Sequence, residues 1–106
     1  MEFKEYAKAI DITRMYKDKI IYPTLGLCGE SGEVADKIKK VMRDDDGIYS
    51  QEIRENILKE LGDVLWYINA LALDLDSSLE EVARLNIDKL LSRLSRGKLT
   101  GSGDNR

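Results

Sequence analysis

The chain has no histidine and only one cysteine, one proline, one phenylalanine and one tryptophan in 106 residues. Without histidine, Ser-His and Cys-His nucleophilic schemes are excluded, as are most zinc and di-iron sites. With Cys28 alone, no intrachain disulfide can form, and a reducing, cytoplasmic setting is expected. No apolar run approaches the roughly 20 residues of a membrane span, and the charged start MEFKEYAK is not that of a signal peptide. An excess of basic charge is missing too. The net charge is −3 and the pI about 5.0, so neither a nucleic-acid nor a membrane partner is expected.

What is present is 42% hydrophobic and 35% charged residues, the balance of a folded soluble domain with one core. β-branched alternation is nowhere sustained, and the pattern predicts an all-α, bundle-like fold of four antiparallel helices around a central hairpin. The first is expected over about Glu2–Lys17, with Phe3, Tyr6, Ala7 and Ile10 on one face. The second starts near Pro23, suited to a first helical turn, and runs to about Met42. RDDDGIYS then forms a polar turn around Gly47. Ser50 N-caps a third helix reaching about Leu75, and Ser78 with Glu81 forms a capping box for a fourth ending near Gly97. Residues 1–97 make a single domain, and KLTGSGDNR (98–106) has the composition of a flexible tail.

The third helix repeats Ile57, Leu61, Val64, Ile68, Leu71 and Leu75 at spacings of four and three, a coiled-coil-like seam. A second apolar face holds Leu58, Leu65, Trp66, Ala72 and Leu73, which suggests a subunit interface. The second helix carries Leu27, Val34, Ile38 and Val41 on one stripe.

Against these seams the sequence sets two acidic pairs at i/i+3 spacing, Glu30 with Glu33 and Glu60 with Asp63. Like charges one turn apart repel, and Gly26, Gly29 and Gly32 add a further penalty of about 0.5–1 kcal/mol each relative to alanine. Folding the two helices as an antiparallel hairpin makes Glu30–Asp63 and Glu33–Glu60 both symmetric about the Asp46–Gly47 junction. Four carboxylates then meet at one level, a repulsive cluster unless cations or protons neutralise it. An oxygen-only donor set favours a hard ion, Mg²⁺ or Mn²⁺. The glycines leave one side of the second helix open to a neighbouring helix, backbone or ligand.

The segments YPTLGLCGESGEVADKIKK and KELGDVLWYINALA, with the late N-x-x-K-x-x-x-R of Asn86, Lys89 and Arg93, resemble the MazG-like all-α nucleoside triphosphate pyrophosphohydrolases from Tyr22 onward. The resemblance implies Mg²⁺-dependent hydrolysis of (deoxy)nucleoside triphosphates between the α and β phosphates, giving a monophosphate and pyrophosphate. It implies that Glu30, Glu33, Glu60 and Asp63 are the metal-binding and catalytic acids, with Glu33 or another of the four as general base. It also implies a homodimer or a dimer-of-dimers tetramer whose site is completed between subunits. A non-catalytic helical oligomer binding a structural cation or a basic partner is the alternative, and a DNA-binding regulator a distant third.

Lys37, Lys89 and Arg93 are candidate phosphate ligands; Lys37 could equally form an i/i+4 pair with Glu33, and Arg93 could serve a helix C-terminus. Tyr67, Asn56 and Asn86 are candidate base or sugar contacts, and Lys98 and Arg106 could close over a nucleotide. Trp66 is expected at a packing interface, and Cys28 as a small apolar side chain rather than a nucleophile.

Overall fold

The computed structural model describes all residues 1–106 and contains four α-helices and no strand. They are α1 (Phe3–Ile10), α2 (Ile21–Asp44), α3 (Gln51–Asp74) and α4 (Leu79–Ser95). Both serine caps form: the Ser50 hydroxyl accepts from the Ile53 N–H and that of Ser78 from the Glu81 N–H. The α2–α3 turn is closed where Asp46 and Gly47 take positive φ (53° and 73°). There the Gly47 N–H donates back to the Val41 carbonyl at 3.1 Å, satisfying an end carbonyl of α2 as the chain reverses.

Helices α2 and α3 pack along one another as an antiparallel pair and form the body of the molecule. α4 packs lightly against α1 and α3. The result is open: only seven of 106 residues are buried, among them Val41, Ala70, Ala72 and Leu79. The radius of gyration is 16.7 Å, against about 13 Å for a compact domain of this size. The seam of α3 is thus only partly covered, with Leu61 and Leu75 exposed.

The first helix is shorter than its apolar face predicts. It ends at Ile10 and passes into a 3₁₀ turn, Asp11–Thr13, where the Thr13 hydroxyl donates to the Ile10 carbonyl. The cause lies far along the chain. Asp74, at the last turn of α3 and with a fully buried side chain, accepts from Tyr16 Oη (2.9 Å), Arg14 Nη2 (3.3 Å) and the Ile20 N–H (2.8 Å). These bonds draw residues 14–20 into an irregular connection and hold Ile20 at φ 67°, a conformation β-branched residues rarely adopt. Because the hairpin is antiparallel, a carboxylate at the end of α3 also faces the N-terminus of α2, where negative charge is favoured.

Of the three glycines, only Gly26 meets a neighbour within the chain. The Tyr67 ring occupies the space a Cβ would take, whereas Gly29 and Gly32 face open space. We expect Gly29→Ala to raise stability by about 0.5–1 kcal/mol and Gly26→Ala to lower it, read by chemical denaturation; the opposite order would contradict the packing of Tyr67 on α2.

Burial pushes the Asp74 carboxyl up, but the Ile20 N–H, the Tyr16 hydroxyl and Arg14 outweigh it and hold the pKa below the usual value. Such a group stabilises the fold above its unfolded pKa of about 3.9, and the contribution is lost as pH falls through the lower folded value. Asp74→Asn should cost about 1–3 kcal/mol near neutrality, with the gap to wild type closing below about pH 4. Equal stability of the two proteins at pH 7 would contradict the anchoring role.

Candidate metal centre

Glu30 lies mid-way along α2, and Glu60 and Asp63 lie one turn apart on a single face of α3. The hairpin register brings them to one level: a carboxylate oxygen from each lies within 4.8 Å of the others. Glu30 and Glu60 are half-buried, and Asp63 is exposed. Glu33 stands outside this trio as an exposed side chain one turn along α2. Its charge is still felt: burial first, then Asp63, Glu60 and Glu33, raise the Glu30 pKa above the ordinary carboxylate value.

The trio fits a hard cation. Its donors are all oxygen, and Cys28 is exposed and not among them. Opposite ligands around one ion are separated by about 4.2 Å for Mg²⁺ and about 4.8 Å for Ca²⁺, so small side-chain rotations suffice. The one protein cation close to the trio in an ion pair is Lys37, whose Nζ lies 3.8 Å from Glu60. The alternative i/i+4 pairing of Lys37 with Glu33 does not form; the lysine reaches across the hairpin instead. Lys37 also lines a small cleft of about 130 Å³ with Lys40 and Asn56, one turn towards the hairpin tip from Glu60.

On the other side of the trio is an aromatic cluster. Tyr67 lies one turn beyond Asp63, with its ring over Gly26. Its phenol is held above the usual value by the neighbouring Tyr22 hydroxyl, then by burial, and by the negative charge of Glu30 and Asp63. Tyr6 of α1 is raised too, by burial and then by Asp63, so the first helix brings a phenol into the same acidic field. Nothing in the local sequence of α1 marks this. Trp66 is half-buried and makes its contacts within the chain. Its indole N–H donates to Thr13 Oγ1 at 2.8 Å, and its ring packs edge-on against Tyr67 and Tyr16, with centroids 4.9 and 6.3 Å away.

The α4 residues are engaged elsewhere. Lys89 Nζ lies 3.3 Å from Asp104 Oδ1, and Arg93 Nη2 donates to the Gly103 and Asp104 carbonyls. Asn86 is exposed on the same helix. Lys98 and Arg106 knit the C-terminal segment to itself, the Arg106 guanidinium donating to the carbonyls of Lys98, Leu99, Thr100 and Gly103.

Residues 23–96 match the MazG nucleotide pyrophosphohydrolase domain. The chain is also 53% identical over 85 residues to the Gene 37 protein of Mycobacterium phage L5, covering 80% of this chain and 75% of that protein. No solved structure matches it. No helix is long and apolar enough to cross a membrane. An all-α hairpin that gathers Glu30, Glu60 and Asp63 at one level, within a domain match spanning most of the chain, makes this protein a member of the MazG nucleotide pyrophosphohydrolase domain family.

Proposed function

We propose that the protein hydrolyses (deoxy)nucleoside triphosphates between the α and β phosphates, releasing a nucleoside monophosphate and pyrophosphate and so tending the nucleotide pool. The observation that carries this reading is the convergence of Glu30, Glu60 and Asp63 in a MazG domain. Three acids together repel a triphosphate, so they make sense as holders of a cation. Mg²⁺, or Mn²⁺ in its place, bound there would offset the phosphate charge and polarise the reacting groups.

The chain's own residues divide the remaining work. Glu30, Glu60 and Asp63 hold the ion. Glu33, exposed beside them but outside the trio, accepts the proton from the attacking water as the bond between the α and β phosphates breaks. Lys37, 3.8 Å from Glu60, meets a phosphate oxygen once the carboxylate turns to the ion. Tyr67 and Asn56 flank the acids on the base and sugar side and the cleft side. Lys89, Arg93 and Asn86 reach a nucleotide from α4, in a second subunit or after release of Asp104. A homodimer or dimer-of-dimers tetramer is supported by apolar side chains left exposed on α3 and α4, Leu58, Leu85, Leu91 and Leu94 among them. A cytoplasmic setting suits the exposed, unpaired Cys28.

Two measurements test this. Pyrophosphate release from a panel of dNTPs should require Mg²⁺ and fall about 10²–10⁴-fold in Glu33→Gln. Equal, negligible release by both proteins would overturn the enzymatic reading. Thermal unfolding separates the roles: Mg²⁺ at a hundred times its Kd should stabilise wild type and Glu33→Gln alike by about 2.7 kcal/mol. Glu60→Gln should lose that stabilisation. Stabilisation by Mg²⁺ without turnover of any nucleotide would favour the non-catalytic, cation-binding helical oligomer.

A further inference from the structure

Tyr22 does not belong to the acidic pairs, yet it packs beside them. It lies in the first turn of α2, with its ring stacked on Tyr16 at a centroid distance of 5.0 Å and an interplanar angle of 18°. Its ring centroid lies 6.1 Å from that of Tyr67, with the two planes tilted by 49°. Tyr16 is half-buried, fixed through its hydroxyl to the buried Asp74 and packed edge to face with Trp66. Tyr22 remains 46% exposed. The stack is thus closed at the Tyr16 end and open at the Tyr22 end.

The helix sets the distance from this open ring to the acids. Tyr22, Gly26 and Glu30 follow one another at spacings of four along α2, about 6 Å of rise per step. Opposite them on α3 stand Tyr67, over Gly26, and then Asp63, beside Glu30. Along this stripe the order is therefore carboxylates, then the Tyr67 phenol, then the aromatic stack. A nucleoside triphosphate has the same order of parts: charged phosphates, a sugar, and a flat π-face.

We propose that Tyr22 is the nucleobase platform of this protein, its Tyr16-backed ring stacking on the base of a nucleoside triphosphate whose phosphates lie at Glu30, Glu60 and Asp63. This deepens the pyrophosphohydrolase reading and rests on it. Stacking on a pre-ordered ring is tolerant of base identity, because every base has a π-face. Tyr22 then supplies affinity for nucleotides over base-free polyphosphates, and discrimination among bases falls to polar groups around it. Asp74 acts only through Tyr16, as a positioning residue.

The experiment measures binding rather than turnover. Wild type, Tyr22→Leu and Tyr22→Phe, as full chains with Mg²⁺, are titrated calorimetrically with α,β-methylene dNTPs and with inorganic tripolyphosphate. Tyr22→Leu keeps side-chain bulk but has no π-face. It should weaken binding of the methylene dNTPs by about tenfold or more and leave tripolyphosphate unchanged, while Tyr22→Phe matches wild type. Equal dNTP binding by wild type and Tyr22→Leu would overturn the platform and leave the pyrophosphohydrolase reading standing. Parallel loss of dNTP and tripolyphosphate binding in Tyr22→Leu would also overturn it, since the side chain would then act on the acid site. A wild type that binds neither compound would overturn both.

Discussion

The antiparallel packing of α2 on α3 is the constraint from which the rest follows. Side chains on a helix turn by about 100° per residue, so a slip of one residue between the pair would rotate Glu30 away from Asp63. The register is locked at both ends of the hairpin. At the tip, the Gly47 N–H returns to the Val41 carbonyl and both Asp46 and Gly47 take positive φ. At the open end, Asp74 ties the last turn of α3 to the Ile20 N–H at the start of α2. Between these locks Val41 and Pro23 are buried, while most other apolar side chains of the pair stay half-covered.

That register has an electrostatic cost. It brings three carboxylates together, and burial, followed by the charges of Asp63, Glu60 and Glu33, raises the Glu30 pKa. Lys37 offsets part of it from 3.8 Å. A divalent cation bound there would offset the rest. The aromatic side chains beside the acids are ordered by the same anchor that locks the hairpin, since Asp74 holds Tyr16 and Tyr16 stacks on Tyr22. Fold stability and site geometry thus share one buried carboxylate.

Much of this was legible in the sequence where the signals are local. Ser50 and Ser78 cap as their spacing predicts, Gly47 turns the chain, and the symmetric placing of Glu30 and Asp63 foretells their meeting. What was not legible depends on partners far away in sequence. The first helix stops at Ile10 because Asp74 and Trp66 hold the segment after it. Trp66 finds its hydrogen-bond partner in Thr13, 53 residues away. Lys89 and Arg93 bond Asp104 and its neighbour, a pairing that no periodicity on α4 reveals. The glycines divide in the same way: the role of Gly26 depends on where the Tyr67 ring lies, and only the folded chain shows that.

The α2–α3 register places Glu30, Glu60 and Asp63 where they could hold a cation. Crystals grown with Mn²⁺ and measured for its anomalous scattering test it most directly. One peak is expected within coordination distance of oxygens from all three side chains, with Lys37 swung off Glu60. Crystals equilibrated in saturating Mn²⁺ in which Lys37 still pairs with Glu60 and no peak lies between α2 and α3 would contradict cation binding there.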